Sequence, residues 1–238
     1  MFTNPSLKET VSYLFSDCIK EYEGKRVFRI LSLQEYTQLK SENLEEVDPE
    51  EEADIGFHVE DFFNHLGASR DSTILIYSHM LDSTQTFMMK HCQGYQNIVC
   101  TADIQTSGKG VVCEEEWGVG RKSNAWLSPE GCLMFSYKSV LDNGDYTGLM
   151  QYLIALVMCE AIKQLNGLSE LDINIKWPND IYVNKRTKIC GIISQSVYGN
   201  GTFDITSGIG LNVSNRKPTT CLEEEVKAKT GKVIHISR

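Results

Sequence analysis

Between Ile175 and Ser194 the chain reads IKWPNDIYVNKRTKICGIIS, and this run leaves the backbone few options. The alternation of DINIKW predicts a strand that must stop where Pro178 removes a donor and fixes φ. Asn179-Asp180 reads as a polar turn, IYV as a short strand, NKRT as a basic turn and KICGIIS as a third strand. Twenty residues folded this way aim Asn179, Asp180 and Lys188 at one small volume while the apolar residues around them anchor the frame. Alone, such a run is a polar hairpin at a sheet edge; other segments decide whether it is more.

A chain of 238 residues can bury a sizeable core as one large domain, or one domain with an appendage. Its net charge of −9 is a local property. Ser41 to Asp61 hold ten Asp or Glu and no Lys or Arg, so the remaining 22 acidic residues face 23 basic ones. A nearly neutral body lacks the basic face that nucleic-acid binding needs. The like-charged run from 41 to 61 reads as a solvated loop, with an acidic docking surface as the alternative. Eight scattered cysteines form no C-x-x-C pair and no metal spacing with the five histidines, which predicts free thiols in a reducing compartment. The N-terminus resembles neither a secretory signal nor a transit peptide, and the longest apolar run, Leu153 to Cys159, is too short to span a bilayer. A soluble, cytoplasmic protein is expected.

SLKETVSYLFSDCIKEY suits an amphipathic helix, KRVFRILSL a strand, STILIYSH a strand, and LDSTQTFMMKHC a helix capped by Asp82 or Ser83. QNIVCTADIQ and GCLMFSYKSVL read as strands, and LMQYLIALVMCEAIKQL as a helix apolar on more than one face, packed against the sheet. KICGIISQSVY and TFDITSGIGLNVS complete a strand-rich second half. Helices mixed with hairpin-linked strands predict an α+β fold with a mixed or antiparallel sheet.

Two further segments carry polar chemistry. Asp82-Ser83-Thr84-Gln85 opens a helix, where hydroxyls and free N–H groups make a slightly positive floor. Gln105-Thr106-Ser107-Gly108-Lys109-Gly110 is a glycine loop that brings backbone donors and a cation close to phosphates. After Val111–Gly120 the chain resumes with Arg121-Lys122-Ser123-Asn124-Ala125-Trp126-Leu127-Ser128-Pro129. Each piece alone is an ordinary cap or turn; their order and spacing are what is specific. Together with WPND and Gly208-Ile209-Gly210-Leu211-Asn212-Val213 they resemble the biotin–protein ligases, plant-type holocarboxylase synthetases above all, over roughly residues 72–220.

The resemblance implies a class II synthetase-like core that activates biotin with ATP and Mg²⁺ as biotinoyl-AMP, then biotinylates a lysine on a carboxylase carrier domain. It implies biotin contacts at Ser83, Thr84, Gln85, Gln105, Gly108, Lys109, Gly110, Lys188 and Gly191. It places ATP at Lys109, Arg121, Trp126, Asn179, Asp180, Lys188 and Asn212, with Asp180 near the Mg²⁺ and Lys188 and Arg121 as catalytic cations. The expected organisation is a 1–68 extension, a 69–220 catalytic domain and a 221–238 tail. That tail is too short for the small β-rich C-terminal domain of the family, and no DNA-binding helix-turn-helix is expected before the core. Residues 111–120 look like an insertion carrying Glu114, Glu115 and Glu116, which are electrostatically wrong beside a triphosphate unless they loop out to solvent. A lipoate–protein ligase and a catalytically impaired biotin-binding form are the alternatives.

Overall fold

A computed structural model describes residues 29–31, 56–110, 124–126, 128–215 and 219–238. The amphipathic stretch near the N-terminus, acidic residues 41–55, the insertion at 111–120 and Arg121 lie outside them. The fold is α+β. Its eight-stranded sheet runs in the order β1 (Arg29–Leu31), β2 (Ile74–Leu81), β3 (Ile98–Gln105), β6 (Cys132–Leu141), β10 (Thr202–Asn212), β9 (Thr187–Gly199), β8 (Asp180–Val183) and β7 (Ile173–Lys176). Only β2 and β3 pair in parallel, because a helix intervenes between them; the other pairs are antiparallel. Two short strands, β4 (Lys109–Gly110) and β5 (Asn124–Ala125), form a separate ribbon.

Alternation along the strands sends side chains to two covered faces. On one face α2 (Thr84–His91) buries Phe87 and Met88 against Ile74, Ile76, Cys100 and Ala102. On the other, α3 (Met150–Gln164) and α4 (Leu222–Thr230) bury Ala155, Cys159, Ile162, Leu222 and Val226 against Ile181, Ile192, Ile209 and Leu211. There too α1 (Val59–His65) sets Phe63 against Leu75. A buried ion pair joins Lys138 of β6 to Asp204 of β10, and Asp204 also accepts the Gly94 N–H at 2.5 Å. That third partner anchors the loop after α2.

Three expectations need amending. The acidic run is not loop to its end, since α1 starts inside it and sets Glu60 and Asp61 in its first turn, where the helix dipole favours carboxylates. Helix α3 buries one face only, and Leu153, Leu156 and Val157 on its outer side stay more than half exposed. The residues from Cys221 onward join the core: α4 fills it, and the Arg238 carbonyl accepts the His58 N–H at 2.6 Å beside α1. Among the described residues no helix is long and apolar enough to cross a membrane.

Candidate active site

On the α2 face, a cavity of about 380 Å³ opens between the start of α2, the centre of β9 and β10, and the β7–β8 turn. That volume lies within the range of small-molecule sites. Its sheet floor is glycine. Gly191 on β9 pairs with Gly210 on β10, with Gly208 two residues along. Trp126 lies across the first two: a Cβ on Gly210 would stand 2.8 Å from its Nε1, and one on Gly191 3.2 Å from its Cζ3. A Cβ on Gly208 would meet Gln85 Oε1 at 2.8 Å. The floor is therefore as flat as a polypeptide allows, and the Trp126 indole N–H is buried there with no hydrogen-bond partner.

One wall is the start of α2. Ser83 caps the helix, its Oγ accepting from the Thr86 N–H at 3.3 Å, while Asp82 accepts from the Ser83 N–H at 2.7 Å. Thr84 donates its N–H and its hydroxyl to Gln105 Oε1, at 2.7 and 3.1 Å. Gln85 donates to Gln195 at 3.1 Å. Gly108 lies under the same region, and its O accepts the Trp126 N–H at 2.9 Å. A Cβ there would fall 2.7 Å from both Ser128 Oγ and Trp126 O, so glycine is required.

The opposite wall comes from the IKWPND run. Lys176 ends β7, a cis Trp177–Pro178 bond makes the turn, and Asp180 starts β8. Asn179 donates to the Ile192 carbonyl, which ties the turn to β9. A register shift between Ile181 and Tyr182 lets Lys188 approach Asp180, Nζ to Oδ1 at 2.8 Å, with Nζ also 5.5 Å over the Trp126 ring. Both partners are under a fifth exposed, so their attraction is screened less than at the surface.

Of the residues named from the sequence, Ser83, Thr84, Gln85, Gln105, Trp126, Asn179, Asp180, Lys188 and Gly191 all line this cavity. Asn212 does not. It is buried at the far end of β10, its amide donating to Thr219 at 2.9 Å and its Oδ1 facing Cys132 Sγ at 3.4 Å. Lys109 and Gly110 form β4, and Arg121 is outside the described residues. Several lining residues escaped the sequence reading, Lys176, Gln151 and Tyr152 among them. Lys176 Nζ stands 3.4 Å from the Tyr182 hydroxyl and 4.8 Å over its ring. Its position just before WPND was the available signal.

Among the described residues no cysteine is suited to act as a nucleophile. All six described ones are buried and free. Burial pushes the Cys190 thiol far up although Lys188 opposes it, and lifts Cys132 to about 12 against the pull of Arg238. Among the described residues no three His, Cys, Asp or Glu cluster as a metal site.

The site thus combines a glycine floor, a capped helix on one side and a lysine–aspartate pair on the other. Residues 77–212, more than half of the chain, match the model of the biotin/lipoate A/B protein ligase family, and the chain belongs to it. It is 38 % identical over 178 residues to biotin–protein ligase 2 of Arabidopsis thaliana, covering 73 % of this chain and 51 % of that protein. The chloroplastic biotin–protein ligase 1 of the same plant is 37 % identical, over 73 % of this chain and 46 % of its own length. The chain thus spans about half of these relatives. The biotin protein ligase of Aquifex aeolicus in complex with biotin and ATP superposes with a TM-score of 0.50 at 28 % identity, over 67 % of this chain and 62 % of that one.

Proposed function

We propose that this chain is an ATP-dependent biotin–protein ligase. The biotin carboxylate attacks the α-phosphorus of ATP and pyrophosphate leaves. A lysine amine on a carboxylase carrier domain then attacks the acyl carbon of biotinoyl-AMP and releases AMP. The observation that carries this reading is one cavity holding neutral donors and acceptors at the α2 wall and a lysine at the other. A fused urea suits the first and a carboxylate meeting a phosphate suits the second. In the first step two anions must meet, and in this reading the Lys188 ammonium lowers that repulsion. Asp180 holds Lys188 at 2.8 Å and so fixes its direction. Lys176 adds a second cation on the same wall.

Trp126, lying on the glycine floor, offers an aromatic face to the adenine, and Lys109 and Arg121 are further phosphate ligands in this reading. Asn212 belongs to it only through the end of β10. Asp180 is the one carboxylate among the described residues lining the cavity, which suits a Mg²⁺ held mainly by the phosphates rather than by a protein cage. The free thiols support a reducing compartment, taken here as the cytoplasm. Two other readings make different predictions. A biotin-binding form with impaired turnover is favoured by Glu114–Glu116 within the phosphate loop. A lipoate ligase would show itself in competition between the two acids.

The test is purified chain with labelled biotin and Mg-ATP, scoring biotinoyl-AMP and transfer to a carrier domain separately, beside Lys188→Ala. Adenylate formation that falls about a hundredfold or more in the variant is the expected result. Biotin binding without adenylate in the parent chain would overturn the ligase reading in favour of the impaired form.

A further inference from the structure

A serine outside the cavity lining contacts Thr84 of the α2 wall. Ser136 sits in mid-β6, fully buried, opposite Cys100 on β3 and Gly208 on β10. A hydroxyl in that position is costly unless bonded. It lies 2.9 Å from Thr84 Oγ1.

The direction of the bond follows from its neighbours. The Thr84 N–H, 2.7 Å from the Gln105 side-chain amide, can only donate, so the amide atom facing it is oxygen. The Thr84 hydroxyl is 3.1 Å from the same oxygen and gives its single hydrogen there. Ser136 must then be the donor to Thr84. On its far side the Gln105 amide nitrogen donates to Ser128 Oγ at 3.0 Å and to Met134 Sδ at 3.2 Å. One donor direction runs from the sheet interior through Thr84 and Gln105 to the segment that carries Trp126. A hydroxyl oxygen has two acceptor lone pairs. Ser136 occupies one on Thr84, which leaves the second as an acceptor for a ligand in the cavity that Thr84 lines.

Resting on the biotin reading above, we infer that Ser136 is a positioning residue for acid recognition. It holds the Thr84 hydroxyl as an acceptor toward the cavity and thereby favours an acid that carries a urea N–H. The residue touches no ligand and acts only through Thr84.

Titration calorimetry on the whole chain tests this, with biotin and ATP as separate titrants, for the parent, Ser136→Ala, Thr84→Val and the double variant. Ser136→Ala is expected to weaken biotin about tenfold, equivalent to about 1.4 kcal/mol. ATP affinity and the melting temperature should stay near parental values, and the substitution should add nothing once Thr84→Val is present. Ser136→Cys keeps the size with a weaker donor and gives an intermediate loss, which also serves if the alanine variant folds poorly. Parental biotin affinity in Ser136→Ala overturns the inference and leaves the ligase reading intact. An equal loss of ATP affinity, or a loss that adds to that of Thr84→Val, also overturns it, because Ser136 would then be holding the sheet rather than Thr84. A parent chain that binds no biotin removes the ligase reading and this inference together.

Discussion

At the scale of single residues the site depends on side chains that are absent. Gly191, Gly208 and Gly210 have ordinary strand pairing, and none has a positive φ, so flexibility is not why they are glycine. The reason is proximity, with an indole or an amide directly above each. Gly210→Ala puts a methyl group 2.8 Å from Trp126 Nε1 and forces the ring off the floor. The cost of such overpacking is about 1–3 kcal/mol, or roughly ten- to a hundredfold if it falls on the working geometry. We expect kcat/KM for biotinoyl-AMP formation to drop by that factor while the melting temperature moves only a few degrees. Pyrophosphate release and a thermal melt on the same sample check this. A large melting shift with normal kcat/KM would mean that Trp126 is structural only.

At the scale of elements, the β7–β8–β9 unit shows what the sequence made legible. The IKWPND…ICGIIS run predicts three strands and two turns, and the structure has β7, β8 and β9 in that order, although the first turn is Trp177–Asn179 and Asp180 already belongs to β8. The cap at Ser83 and the helix over 150–164 were equally readable from local chemistry. Longer-range features were not. The register shift that delivers Lys188 to Asp180 is set by pairing between strands, and nothing local in the sequence marks it. Asn212 shares a strand with Gly208 and Gly210, yet the strand carries it past the cavity. Ser136 reads as one polar residue in an apolar run, and its role depends on a partner 52 positions away.

The turn itself is held by Asn179, whose side chain donates to the Ile192 carbonyl. Asn179→Ala strands that carbonyl and frees the segment that carries Asp180. A loss of about 1–3 kcal/mol in unfolding free energy is expected from the orphaned acceptor, with a fall in kcat larger than the rise in the KM for biotin. Urea unfolding and steady-state kinetics measure the two parts. If stability falls with kinetics intact, Asn179 braces the turn without governing Asp180.

At the scale of the molecule, the sheet divides two tasks between its faces. The α2 face holds the cavity, to whose wall the first turn of α3 adds Tyr152, while α1, α4 and the rest of α3 insulate the other face with apolar side chains. Helix α4 decides how far the core extends along the chain. Leu222 and Val226 are buried to within 1 % in the same cluster as Ile209 and Leu211, which lie on the strand that supplies Gly208 and Gly210. Removing Leu222 thus opens a void in the core cluster that includes Ile209 and Leu211 of β10. Leu222→Ala is expected to cost about 2–5 kcal/mol, the range for a core leucine whose site only partly collapses. Because two-state unfolding couples both faces, the loss should appear as a lower denaturant midpoint with an unchanged slope. Saturating biotin with ATP should recover part of it, since a ligand that binds only the folded chain stabilises in proportion to the logarithm of its excess over Kd. A midpoint within error of the parent would mean that α4 docks too weakly to belong to the core. A lowered midpoint that the ligands fail to raise would separate the helix from the site it backs.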